Sequence, residues 1–235
     1  MGDSGDFIFT RDERGKLQYR GDFEGLYRAM DDPWGQSGEH PRMKDYYEFS
    51  RRRLLNTLKG TLNEFPWTGL LEVGCGNGQV VDLIHRGLEP RRVVHGCDLS
   101  HTAVERAWSL FPRGFFYRLD IADPGAVQDY QWQYGRYQVV VLSQILWYTL
   151  DKLPATFGNC AKLLAPGGHL IIQTAFLDNQ EYGRDIVDGW HGLVRWVIDN
   201  EVETDAKVWQ IVSASYDASG QYTPYHDGIL VLRHE

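Results

Sequence analysis

The chain has 235 residues, enough for one domain with a sizeable core and a short accessory segment. Lys and Arg number 24 against 32 Asp and Glu, so the net charge is −8 and no basic footprint marks nucleic acid as a partner. No apolar run approaches membrane-spanning length, and the N-terminus lacks a basic-then-apolar signal. The three cysteines are widely spaced and show no metal pattern, so reduced thiols in a cytoplasmic protein are expected, with no metal and no membrane contact. Aromatic residues make up 13% and many fall outside the predicted strands, which suggests a lined pocket as well as ordinary core packing.

In chain order, residues 7–11 and 16–20 flank Asp12-Glu13-Arg14-Gly15 and predict a small hairpin. Asp22 caps a short helix in which Phe23, Leu26, Tyr27 and Met30 share a face. Pro33 ends it, because the residue before a proline is driven out of the helical region. Residues 36–42 read as a polar loop, and a second helix follows at about 44–58 with Tyr47, Leu54, Leu55 and Leu58 on one stripe. Pro66 and Trp67 end the connection, and the core begins near Thr68; the arm is taken as 1–60 and the core unit as 61–235.

The core opens on Leu70-Leu71-Glu72-Val73-Gly74-Cys75-Gly76-Asn77-Gly78-Gln79. An apolar run rises to an acid, and glycines then alternate, as a buried strand does when it ends at a tight ligand-binding turn and opens a helix. A dinucleotide fingerprint would need glycine at position 79, where Gln stands. A second strand ends at Asp98, 20 residues after Gly78. A carboxylate at that tip can accept both hydroxyls of a ribose seated over the first turn; alternatively Asp98 or Ser100 caps the next helix.

Strands at 69–73, 92–97, 115–119, 137–142 and 169–175 alternate with helices near 78–86, 101–110, 152–164 and 182–199, which implies a parallel sheet. Runs at 208–216 and 228–234 have no helix between them and should pair antiparallel at one sheet edge. The predicted fold class is α/β: a Rossmann-like doubly wound sheet, mostly parallel with an antiparallel last strand, plus an N-terminal helical arm. Asp120 follows the third strand, where it either accepts an adenine amino group with Ile121 against the ring or forms a turn. Gln144, Trp147 and Tyr148 follow the fourth strand, at the tip that faces the reactive centre in such sheets.

The order Glu72 to Gly78, Asp98, Asp120 and Ala165-Pro166-Gly167-Gly168 resembles the core of class I S-adenosylmethionine-dependent methyltransferases across residues 68–176. Asp32-Pro33-Trp34, Tyr47-Glu48-Phe49-Ser50-Arg51, and Val140 to Gln144 with Trp147-Tyr148 are similar to the nodulation-factor N-methyltransferase group. Those enzymes methylate an amine on a chitin-like oligosaccharide. Residues 1–31 and 178–196 follow no family pattern, so the acceptor stays open. The resemblance implies S-adenosyl-L-methionine as cofactor and S-adenosyl-L-homocysteine as product. It implies a cofactor site of Glu72, Gly74, Cys75, Gly76, Gly78, Asp98, Leu99, Asp120, Ile121 and Ser143, reached from the arm by Arg51 and Trp34.

Methyl transfer from a sulfonium is an in-line displacement, so alignment is the enzyme's main task, and a protonated amine or a hydroxyl also needs its proton removed. His191 is the first base candidate, with a solvated helix histidine as the alternative; Tyr148, Tyr46 and Glu48 are rivals, and His169 reads as structural. Tyr46, Tyr47, Gln144, Trp147 and Trp190 are the substrate-side candidates. The arm is expected to fold over the sheet crevice as a lid, with Trp34 walling the acceptor pocket and Arg51 facing the cofactor's carboxylate. The expectation is a small-molecule methyltransferase, monomeric or homodimeric, acting on a sugar or metabolite amine or hydroxyl. A cofactor-binding but silent partner subunit stays open, and a nicotinamide oxidoreductase is disfavoured by Gln79.

Overall fold

Neighbouring strand residues divide between two cores, which is why the predicted strands are apolar on both faces. The computed structural model describes residues 5–38, 41–64, 69–88, 93–203, 209–219 and 225–235. Its strands are β1 Phe9–Arg11, β2 Leu17–Tyr19, β3 Gly69–Val73, β4 Val93–Asp98, β5 Phe115–Arg118, β6 Tyr137–Ser143, β7 Leu164–Leu177, β8 Trp209–Asp217 and β9 Tyr225–His234. Its helices are α1 Gly5–Ile8, α2 Phe23–Ala29, α3 Pro41–Glu64, α4 Gln79–Gly87, α5 His101–Leu110, α6 Pro124–Tyr134, α7 Leu153–Leu163 and α8 Gly189–Glu203. The large sheet has the order β5-β4-β3-β6-β7-β9-β8. Strands β3 to β7 pair parallel, β9 lies antiparallel to β7, and β8 lies antiparallel to β9. The predicted doubly wound sheet with an antiparallel last strand is therefore the observed one.

Leu70, Val94, Val139, Val141 and Ile171 point to the face covered by α3, α4 and α5 through Leu54, Leu58, Val81, Ile84 and Ala107. Their neighbours Leu71, Cys97, Val140, Leu142 and Ile172 point to the face covered by α6, α7 and α8 through Val127, Phe157, Leu163, Leu193 and Val197. Period-2 alternation along buried strands thus builds a three-layer sandwich. The three cysteines are buried and unpaired, as expected of reduced thiols. Among the described residues, no helix is long and apolar enough to cross a membrane.

Several boundaries differ from the sequence reading. Helix α3 runs through residues 41–64 rather than 44–58, so the division at 60/61 falls inside a helix that also covers the sheet. Helix α6 was not expected, although Asp123 caps it by accepting from the N–H groups of Gly125 and Ala126, with Pro124 in its first turn. The helix expected at 182–199 starts only at Gly189, because Gly183 and Gly189 take left-handed backbone (φ 68° and 64°) before it. Residues 7–8 belong to α1, not to the first hairpin strand. Pro66, Trp67, the core start at Thr68, the strand start at Arg92 and the one at Val208 lie outside the described residues.

Helix α3 is fixed to the sheet by a buried ion pair. Arg53 donates to the fully buried Asp227 of β9, to its backbone carbonyl (2.6 Å) and to Ser215 Oγ (2.7 Å). Of the arginine trio, Arg52 is exposed, whereas Arg53 is an anchor. Arg53→Met keeps the apolar stem but strands a buried carboxylate. The expected loss is about 3 kcal/mol, the lower end for breaking a buried pair, because Tyr46 and Gln173 still donate to Asp227. Urea unfolding checks it, and a change below about 1 kcal/mol would remove this pair from the list of anchors.

Candidate functional site

The floor of the site is the glycine turn between β3 and α4. Gly74, Gly76 and Gly78 have φ of 72°, 52° and 85°, a region that excludes most side chains. A Cβ on Gly74 would stand 2.4 Å from Ile145 Cγ2, and one on Gly76 would stand 2.5 Å from Tyr27 Oη. The glycines are demanded by the protein's own close packing, not only by an approaching ligand. The N–H groups of Gly74 and Cys75 donate to Cys97 O (2.7 and 2.9 Å), which ties the turn to the tip of β4.

Asp98 completes that tie. Its Oδ2 accepts from Gly76 N–H (2.8 Å) and its Oδ1 from Ser100 N–H (2.9 Å). Ser100, not Asp98, is the cap of α5, accepting from Ala103 N–H (3.1 Å). Burial pushes the Asp98 carboxyl up and these N–H donors pull it back, leaving it at about 6. Each oxygen accepts one of these bonds, and the carboxylate lines a large cavity.

That cavity encloses about 1150 Å³ above the strand tips. Its sheet side includes Gly74, Gly76, Asp98, Leu99, Asp120, Ile121, Ser143, Gln144, Trp147 and Tyr148. Asp120 forms the turn anticipated as its plainer role, accepting from Ala122 N–H (2.9 Å), and lines the cavity as well. The arm side supplies Phe9, Tyr19, Phe23, Tyr27, Trp34, Tyr46 and Tyr47, and Tyr182 and Tyr225 add two further rings. Trp34 lies 5.6 Å from Tyr148 between ring centroids, and Phe23 lies 5.2 Å from it. Tyr19 Oη donates to Tyr148 O (2.9 Å), while Trp147 Nε1 donates to Ala175 O (2.7 Å) and turns its ring into a fixed wall.

The arm is bonded down over this cavity. Arg106 donates to the carbonyls of Tyr27, Met30 and Asp31 (3.0, 2.9 and 2.9 Å), and Asn77 Nδ2 donates to Asp31 O (2.7 Å). Glu24 accepts from the hydroxyls of Ser100 (2.8 Å) and Thr102 (2.7 Å). Burial would raise the Glu24 carboxyl, but these hydrogen bonds outweigh it and hold the group at about 2.

Behind the glycine turn, Glu72, Cys75 and Arg51 border a small recess. Arg51 donates to Gln36 O (3.0 Å) and sits 5.3 Å from the Tyr47 ring centre, yet its Nε is buried without a hydrogen-bond acceptor. Glu72 is 2% exposed and its Oε2 has no donor.

Several sequence candidates do not line the cavity: Glu72, Cys75 and Arg51 border the recess behind the turn, Gly78 faces Phe116 and Ala107, and His191, Trp190 and Glu48 lie elsewhere. His191 is exposed at the start of α8, with its ring 6.5 Å from Tyr216, so it is not placed to take a proton from anything bound there. Trp190 is stacked on Tyr216 (5.4 Å, 4° between planes) against Phe176, and is core. Glu48 is exposed and faces Lys44. His169 is buried within β7, opposite Val139 and Arg233, in keeping with its structural reading. The sequence reading assigned no site role to Tyr19 in its predicted hairpin, Tyr182 at the start of a predicted helix, Tyr225 between predicted strands, or Asp227, a single acid before an apolar run. Tyr27 was visible only as one position of a helical stripe.

A family model described as a methyltransferase domain matches residues 43–206. Nodulation protein S of Rhizobium tropici is 26% identical over 149 residues, covering 63% of this chain and 56% of that protein. Tenellin synthetase of Beauveria bassiana is 30% identical over 158 residues, 64% of this chain but 4% of the synthetase. The chain thus matches about half the length of the first relative and a small part of the second. Among solved structures, N-methyltransferase NodS from Bradyrhizobium japonicum, in complex with S-adenosyl-L-homocysteine, superposes with a TM-score of 0.63 at 19% identity, over 90% of this chain and 97% of that one. The CurJ carbon methyltransferase superposes with a TM-score of 0.66 at 16% identity, over 92% of this chain and 62% of that one. With the sheet order, the glycine turn and a family match spanning most of its length, the chain belongs to the methyltransferase domain family and has the class I fold.

Proposed function

We propose that this chain is an S-adenosylmethionine-dependent methyltransferase acting on a small molecule, the amine or hydroxyl of a sugar or related natural-product metabolite. The observation that carries the reading is Asp98, clamped to the glycine turn at the floor of an aromatic-walled cavity. The relatives support it: one is a nodulation protein, a solved structure from Bradyrhizobium japonicum is an N-methyltransferase, and another relative is a synthetase.

The residues fit the cofactor. Asp98 accepts one protein hydrogen bond at each oxygen, which leaves acceptor capacity for a vicinal diol. Leu99 and Ile121 offer apolar surface beside Asp120 for a purine. The unsatisfied Nε of Arg51 suits a carboxylate, and such a buried orphan donor is costly unless something fills it. When bound, the cofactor supplies an electrophilic methyl on a sulfonium. Trp34, Tyr148 and Tyr47 exclude water and hold the acceptor in line. The acceptor's nitrogen or oxygen would take that methyl while held by these walls, and its surplus proton would pass to solvent. Burial raises the Tyr148 hydroxyl well above its usual range, so it orients rather than deprotonates at neutral pH. An amine delivered uncharged needs no base at all.

Asp98→Ala is expected to weaken S-adenosylmethionine binding by about 2–4 kcal/mol through the loss of two charge-assisted hydrogen bonds. Gly76→Val should abolish binding, since φ is 52° and the Cβ position is already claimed by Tyr27. Calorimetric titration decides both, and parent-like affinity in both variants would sink the site assignment. Incubation with labelled methyl donor and a panel of amino sugars and metabolites tests the acceptor class; label transfer only to carbon would overturn it.

Glu72 gives a separate test. Burial raises its carboxyl to about 8 and the charge on Arg51 pulls it back only in part. A raised carboxyl binds protons more tightly folded than unfolded, so its contribution is full below about pH 4.5 and is lost as pH rises through about 8. Glu72→Gln mimics the neutral form. Its stability should match the parent's below about pH 4.5 and exceed it by roughly 5 kcal/mol above pH 9, read from melting curves across pH. A constant difference across that range would show that Glu72 is ionised in the folded protein.

A further inference from the structure

Gln144, at the tip of β6, is the only non-glycine residue with positive φ (63°) among the described residues. Backbone held in that region is maintained by its surroundings. Here the surroundings are a chain of hydrogen bonds whose directions are all fixed. Ala175 N–H can only donate, so the atom of the Gln144 amide it meets at 2.8 Å is the oxygen. Both hydrogens on Nε2 then go to Tyr46 Oη (3.0 Å) and Ser50 Oγ (3.2 Å). Tyr46, having accepted, donates its own proton to Asp227 Oδ2 (3.3 Å). Asp227 cannot turn away, because its other oxygen takes Arg53 and Gln173 Nε2 (3.2 Å) and the residue is fully buried.

Gln144 also lines the cavity, between Ser143 and Ile145. With both N–H groups committed to the protein, the only hydrogen-bonding capacity it retains there is a lone pair on Oε1. We propose that Gln144 determines acceptor class: it offers the cavity a hydrogen-bond acceptor and no donor, so the methyl acceptor must present an N–H or O–H to it.

This rests on the methyltransferase reading above and narrows it. An amine or hydroxyl that donates one hydrogen to Oε1 is fixed in orientation while its own lone pair stays free for the methyl. A carbon acid flanked by carbonyls would set lone pairs against Oε1, a repulsive pairing that excludes it. Tyr46, Asp227 and Arg53 are positioning residues, since they act by holding the amide in one of its two flips.

The test uses the full chain saturated with S-adenosylhomocysteine, with saturation confirmed by calorimetry, and ligand-observed NMR of matched probes. The pairs are 2-phenylethanol with its methyl ether, and 2-phenylethylamine with its trimethylammonium analogue, which suit an aromatic cavity and differ in the donor hydrogen. The donor-bearing member of each pair should bind at least about tenfold more tightly. Gln144→Met, similar in shape and unbranched, should erase the difference, whereas Gln144→Glu, which keeps an acceptor oxygen, should preserve it. Tyr46→Phe should reduce it while leaving S-adenosylhomocysteine affinity within twofold. Equal binding within each pair, a difference that survives in Gln144→Met, or no binding by either donor-bearing probe overturns the proposal while S-adenosylhomocysteine still binds. A parent that fails to bind S-adenosylhomocysteine overturns the cofactor reading and this proposal together.

Discussion

One carboxylate holds the tips of two strands and the start of a helix in a single arrangement. Asp98 accepts from the glycine turn after β3 and from the N-terminus of α5, while Cys97 O takes two more N–H groups of the same turn. Three backbone donors of the tight left-handed turn, and a fourth at the start of α5, are satisfied from one dipeptide. The geometry costs desolvation of an acid, visible in its raised proton affinity, and the N–H groups offset much of that cost. The shape of the turn and the cavity floor follow from this clamp.

The arm closes on the same clamp. Helix α2 ends with carbonyls that have no helical donors, and Arg106 of α5 supplies them at Tyr27, Met30 and Asp31. Asn77, inside the glycine turn, reaches Asp31 O, and Tyr27 Oη fills the space that glycine at position 76 leaves. Glu24 meanwhile sits at the N-terminus of α5, where the helix favours a negative charge. The cover and the floor of the cavity therefore share residues, so a change that disturbs the turn also loosens the wall above it.

The parts of this arrangement that were readable from sequence are those fixed by local chemistry. Glycines at 74, 76 and 78 announce a left-handed turn wherever they occur, and an acid at the end of the next apolar run is a short-range pattern. The Asp22 cap and the hairpin around Asp12 belong to the same class, and both formed. Where the reading failed, a tertiary partner decided. His191 and Trp190 lie in a stretch of suitable composition, yet the left-handed backbone at Gly183 and Gly189 and the stacking of Trp190 on Tyr216 turn that stretch away from the cavity. Arg53 looks like one of three solvated arginines until a buried acid 174 positions away is brought beneath it. No spacing rule links such residues.

Proton affinity ties these observations to the chemistry. Burial raises Asp98, Glu72, Tyr19, Tyr27, Tyr46, Tyr148 and Tyr182 together, with Tyr47 pushed up to about 12. A buried phenol raised this far stays protonated near neutral pH and takes no proton from an acceptor, and among the described lining residues there is no histidine to do so. Under the proposed reading, the aromatic walls would favour the neutral form of an amine acceptor, which is the nucleophile. On that reading, desolvation by those walls and the fixed amide of Gln144 would orient the acceptor and leave its lone pair free for the methyl.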